Sequence, residues 1–127
     1  MISAVTTGMP VDSQVFRANC TVVEQAGDVV YVFTLGQVRQ AIANDITKSD
    51  AIGIIEKKLS NTTCLVRKMG FIRDIYAGLI IGNYYLSQDI AGELQDEVPS
   101  SGIIKLVGNA ISDSELYVDT GRIPVIK

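Results

Sequence analysis

Gly27-Asp28-Val29-Val30-Tyr31-Val32-Phe33 decides how this chain is read, because its grammar returns at Gly82-Asn83-Tyr84-Tyr85-Leu86. The first copy continues through Gly36-Gln37-Val38, Ile52-Gly53-Ile54 and Cys64-Leu65-Val66, and closes at Gly70. The second continues through Gly92-Glu93-Leu94, Val107-Gly108-Asn109 and Leu116-Tyr117-Val118, and closes at Gly121. The offset is 55 residues between Gly27 and Gly82, and 51 between Gly70 and Gly121. Each copy reads as a turn, a strand, a glycine turn, a short strand, a loop and two more strands. The expected fold is therefore all-β: a small β-barrel or sandwich built from two similar halves, residues 27–70 and 82–121.

The strand assignments work outward from that core. Three valines and two aromatics within Val29–Phe33 fit a pleated, buried surface. Residues 17–24, with Thr21-Val22-Val23, predict a strand before it. Ala51 to Ile55 and Thr62 to Lys68 complete the first half, and Gly70 then leads into Phe71 to Tyr76. Asn83 to Ser87, Ile103 to Ile111 and Glu115 to Asp119 make the second. Gly108 lies inside one of these strands, which suggests a bulge or a close backbone approach. Residues 37–40 read as a short strand followed by a loop. Leu35, Val38, Ile42 and Ile46 fall at helical spacing, so a helical turn within 41–49 stays open. Residues 1–16 have little periodicity and read as an N-terminal arm. Residues 17–127 then form a single β domain, whose tail from Arg122 to Lys127 is expected on a sheet edge or on a partner.

Composition narrows the function. The chain has 127 residues, which suits one domain able to bury a core without metals or disulfides. Hydrophobic residues make up 47% of it and the mean hydropathy is +0.27, so some apolar surface is expected to be buried against a partner. The net charge is -3 and the pI about 4.8, which on average repels a phosphate backbone. With 6% aromatics and no Trp, few side chains are available to stack on bases. Neither direct nucleic-acid binding nor a membrane role through basic residues is expected. The longest nearly apolar stretch, Tyr76 to Leu86, falls short of the roughly 20 residues a spanning helix needs. The N-terminus does not read as a secretory signal.

Chemistry is expected to be absent. The sequence has no His, which removes the commonest general base and most zinc sites. Its two cysteines, Cys20 and Cys64, sit in apolar alternating context and read as buried reduced thiols, with a disulfide as the alternative. No phosphate-cradling glycine loop occurs. Asp89, Glu93, Asp96 and Glu97 cluster at one turn and Asp113, Glu115 and Asp119 at another. They could serve as paired carboxylates or hold a hard cation, but solvated turn residues are the expectation. No cofactor and no metal is expected, and a non-enzyme is the expectation. Of Tyr84 and Tyr85, neighbours on a strand, one should face the core and the other outward.

The run Ala26-Gly27-Asp28-Val29-Val30-Tyr31, with Ala51-Ile52-Gly53-Ile54 and Thr63-Cys64-Leu65-Val66 before Gly70, resembles a small β module of tailed-bacteriophage virion proteins. Gly78 to Ser87 and Val107-Gly108-Asn109-Ala110-Ile111 extend the likeness, which covers about residues 20–121. Such modules occur in capsid cement (head decoration) proteins and inside tail-fibre and baseplate proteins. The resemblance implies a structural virion protein on the capsid surface, assembled in the host bacterial cytoplasm. It implies a homo-oligomer, with a trimer favoured, and the major capsid protein as partner. The alternative is a tail-fibre, baseplate or receptor-binding module. The partner-binding residues expected from the sequence are the apolar side chains of the arm: Ile2, Val5, Met9, Val11 and Val15.

Overall fold

The computed structural model describes residues 13–127. Its elements are strands throughout: β1 (Val15–Asn19), β2 (Val29–Thr34), β3 (Gln37–Gln40), β4 (Gly53–Lys58), β5 (Thr63–Arg67), β6 (Met69–Arg73), β7 (Gly82–Leu86), β8 (Leu94–Gln95), β9 (Ile103–Ile104), β10 (Leu106–Ala110), β11 (Glu115–Asp119) and β12 (Val125–Ile126). The first five close into a barrel. Five of the others form an open sheet in the order β6-β11-β10-β7-β8, and β12 pairs with β9. Read around the barrel, the order is β3-β2-β4-β5-β1. Read across the open sheet, it is β8-β7-β10-β11-β6. The two halves thus share one strand order.

One contact separates the closed half from the open one. The barrel closes where β1 meets β3 at a single parallel pair, Asn19 with Gln37, and the Asn19 amide donates to the Gly36 carbonyl at 2.8 Å. In the second half the corresponding strands, β6 and β8, do not meet. There β8 has only two residues.

Alternation along the strands builds two cores that share their walls. Val30, Ile55, Cys64, Val66, Ala18 and Val38 fill the barrel interior. Their neighbours Val29, Tyr31 and Ile54 point the other way, into a larger core with Ile72, Leu86, Val107, Leu116 and Val118 of the second half. The first halves of β2 and β4, Val29 to Tyr31 and Gly53 to Ile55, are therefore buried on both faces. Burying a Val or Ile fully contributes about 1.5–3 kcal/mol each, before conformational entropy is counted.

Several boundaries differ from the sequence expectation. The first strand begins at Val15, not after residue 16, and Val15 pairs with Arg67. It also stops at Asn19. The Glu24 carboxylate, buried, accepts hydrogen bonds from the Thr21 amide and hydroxyl, both at 2.7 Å, so Thr21-Val22-Val23 forms a capped loop instead of a strand. The Lys58 ammonium fixes the same loop by donating to the Thr21 and Glu24 carbonyls. Residues 43–48 form turns without a helix, closed by the Ile42 amide on the Lys48 carbonyl. Ile103 to Ile111 is split at Lys105, whose side chain turns inward. The tail does lie on an edge, through β12.

Gly53 and Gly108 show why the repeat keeps glycine inside a strand. A Cβ on Gly53 would stand 2.4 Å from the Arg67 carbonyl oxygen. One on Gly108 would stand 2.5 Å from that of Tyr117, beside a register shift between Leu106 and Gly108. Both positions require the strand behind to press against bare backbone.

Candidate functional site

Three places on the surface combine exposed apolar side chains with a hairpin tip or a groove, while others, such as Val22, Ile80 and Ile81, stand in water elsewhere. The first is the β2–β3 hairpin. Beyond Tyr31 the strand outruns the barrel, so Val32 and Phe33 are about half exposed and Leu35, at the tip, is 99% exposed. The Arg39 guanidinium lies over the Phe33 ring, 4.8 Å from its centre. The sequence reading placed Val32 and Phe33 in the core. The signal against it was present: Leu35 stands next to Gly36, where turn chemistry calls for a polar residue.

The second place is the C-terminal pair of strands. Ile104, Leu106, Ile123 and Val125, with Arg122, line an apolar groove of about 380 Å³. Ile123 and Ile126 are strongly exposed. Pro124 lies just before β12 and has no N–H to offer a neighbouring chain, which blunts this edge.

The third is a groove of about 470 Å³ at the junction of the halves. Tyr31, Val32, Ile52 and Met69 supply its apolar lining, and Gln14, Thr47, Asp50 and Lys68 its polar lining. The junction is also cross-tied: the Thr120 hydroxyl reaches the Ile52 and Lys68 carbonyls at 2.9 and 3.1 Å.

Beneath these surfaces lie groups with altered acidity. Lys105 is fully buried, and its ammonium donates to the Thr120 carbonyl at 2.7 Å and to the Arg122 carbonyl. Burial lowers its pKa from 10.5, against the opposing pull of Asp50 and Asp119. Burial raises the pKa of Tyr76, whose hydroxyl donates to the Gly27 carbonyl, with Asp28 and Glu93 adding to the shift. Tyr84 is the core-facing member of its pair, and its hydroxyl accepts from the Ile80 amide at 2.9 Å.

Cys20 and Cys64 are free thiols inside the barrel. Burial, then the neighbouring Cys20 thiol, pushes Cys64 up to about 12 from 9.0, so it stays protonated at neutral pH. Replacing both by alanine should lower stability by about 2 kcal/mol through lost packing, read by urea denaturation, and leave partner binding unchanged. A folded double variant with lost binding would assign the thiols a function.

Of the arm residues expected to bind a partner, Val15 lies in β1, half-buried. Ile2, Val5, Met9 and Val11 lie outside the described residues. The acidic groups separate: Glu115 pairs with Arg73 at 2.9 Å, while Asp119 caps the Gly121 amide at 3.2 Å. Among the described residues no three acidic or thiol side chains come together as a metal site would require. Comparison with protein-family models, with curated proteins and with solved structures finds no match for this chain.

Proposed function

We propose that this chain is a structural protein of a tailed-bacteriophage virion, a capsid cement protein that bridges major capsid subunits as a homo-oligomer. The observation that carries the reading is the pairing of a well-filled double core with aliphatic side chains left in water at the hairpin tip and the C-terminal groove. An exposed Leu at a hairpin tip adds nothing to the monomer and gains on burial against a partner. The virion location and the trimer rest on the resemblance of the repeat. A cement protein acts by burying surface across subunit joints, so modest contacts add over many copies.

The test is decoration of purified capsids. Full-length protein should bind and raise their resistance to disruption. Removing residues 1–12 should leave a folded domain with greatly reduced occupancy. A segment that orders on binding offsets its gain by about 1–2 kcal/mol per residue in backbone entropy, so the loss depends on its apolar side chains. Equal occupancy of both forms in competition would remove the arm from the mechanism. Absence of any capsid binding by the full-length protein would remove the cement reading itself.

A further inference from the structure

The outward face of the open sheet carries a row of side chains without a charge. Ile72, Leu116, Val118, Ala110 and Tyr84 are buried on the inner side of that sheet. Strand alternation therefore turns their neighbours Phe71, Tyr117, Asn109 and Asn83 outward. The register sets these four side by side: Phe71 opposite Tyr117, Tyr117 opposite Asn109, and Asn109 opposite Asn83. At about 4.8 Å between strands, the row is about 14 Å long.

Both ends of the row are fixed in place. The Phe71 and Tyr117 rings meet edge to face, with their centres 5.1 Å apart. The Arg73 guanidinium lies 5.0 Å from the centre of the Phe71 ring, held by Glu115 at 2.9 Å. Tyr117 stays 37% exposed. At the other end the Asn109 side-chain amide donates to Asn83 Oδ1 at 2.9 Å. Among the described residues no other hydrogen bond reaches either side chain. The Asn83 N–H groups and the Asn109 carbonyl oxygen are thus exposed, unspent and held beside one another.

We propose that this row binds an uncharged oligosaccharide, with the Tyr117 ring under one sugar and the Asn83–Asn109 pair holding the hydroxyls of the next. A pyranose turns C–H groups from one of its faces, and these pack on an aromatic ring. Each sugar hydroxyl both donates and accepts, and the amide pair offers both a donor and an acceptor. A row of about 14 Å has room for roughly three sugar rings. Charge argues the same way. The row itself is neutral, and Glu115 and Asp119 stand two residues either side of Tyr117 on β11, where they repel a phosphate chain. A second copy of this chain is a poorer occupant, because a flat protein face laid here must match the unspent amide groups or bury them without partners. The proposal goes beyond the virion reading and stands without it.

Nuclear magnetic resonance on the isotope-labelled, full-length protein tests it. The probes are the trisaccharides of glucose, mannose, galactose and N-acetylglucosamine, each titrated to millimolar concentration. The expected result is a saturable shift of the Asn83 and Asn109 side-chain amide signals with at least one of them. The signal of Asn61, exposed between β4 and β5, should stay still. Tyr117→Ser should weaken the binding about tenfold. Asn83→Asp, nearly isosteric, exchanges donors for an acceptor and should weaken it by a similar factor. Val22→Ser, at an exposed position of the barrel half, should leave it unchanged. Backbone signals of the inner strands report whether each variant is folded, and Asn83→Asp decides the matter if Tyr117→Ser is not. No shift with any of the four sugars would overturn the proposal. So would undiminished binding by the folded variants. Amide signals that follow protein concentration and not sugar would also overturn it, because the face would then be a contact between copies.

Discussion

Gly53→Ala should cost about 3 kcal/mol of stability and lower the melting temperature by roughly 10 °C or more. The added methyl would sit 2.4 Å from the Arg67 carbonyl oxygen and 2.6 Å from Val66 Cγ1. Neither neighbour can give way cheaply. Arg67 is held in the β4–β5 and β1–β5 ladders, and Val66 is packed in the barrel core. Gly108→Ala meets the same obstacle in the second half, 2.5 Å from the Tyr117 carbonyl oxygen, and should cost a similar amount. Gly36→Ala is the control. Its φ is +74° but no atom lies within 4 Å of the new methyl, so the cost is backbone strain alone, about 1–2 kcal/mol. Urea denaturation of the three variants checks the order. If Gly53→Ala proves no worse than Gly36→Ala, close backbone approach is not what keeps glycine at this point of the repeat.

Lys105→Met should destabilise the protein by about 2–4 kcal/mol, because it keeps most of the side chain's bulk but leaves the Thr120 and Arg122 carbonyls without their donor. The effect should depend on pH with a definite sign. Burial lowers the folded-state pKa of Lys105 below 10.5. Between the lowered value and 10.5 the unfolded chain binds a proton that the folded chain does not. This group's contribution therefore makes the wild type more stable as pH rises across that window. Cys64 and Tyr76 act in the opposite sense. Their folded values are raised, so the stability of their neutral forms is present below 9.0 and 10.0 and is lost as pH climbs beyond. Both groups are shared with Lys105→Met, so the difference between wild type and variant isolates the lysine. That difference should grow as pH rises towards 10.5 through the window that the lowered pKa opens. A difference that stays flat, or shrinks, would contradict a lysine held against the cost of burial.

Lys105 also shows where reading the sequence failed. Ile103 to Ile111 looks like one strand because apolar residues surround a single lysine, and an isolated lysine in such a run is ordinarily the solvent-facing member of an alternating pattern. Here it is the buried one, because the chain around Thr120 and Arg122 brings carbonyl oxygens to it from 15 and 17 residues away. The same limit applies to Glu24, which reads as a strand end and is a buried loop cap. A polar side chain's burial depends on partners that meet it only after folding.

The sequence by itself determined the all-β class, the strand grammar of both halves and the glycines that grammar needs. These follow from local physics: side chains alternate with period two, β-branched residues fit pleated sheet, and positive φ or a missing Cβ admits glycine at Gly27, Gly82, Gly53 and Gly108. Only the tertiary structure decided which half closes. A single pair, Asn19 with Gln37, shuts the barrel, and no spacing along the chain marks it. Tertiary structure alone also decided which apolar residues stay in water. Val30 and Phe33 belong to one run, yet Val30 is fully buried and Phe33 is 53% exposed, because the strand is longer than the barrel it enters. Burial depends on what the rest of the fold places against a residue, and that is a property of the assembled strands.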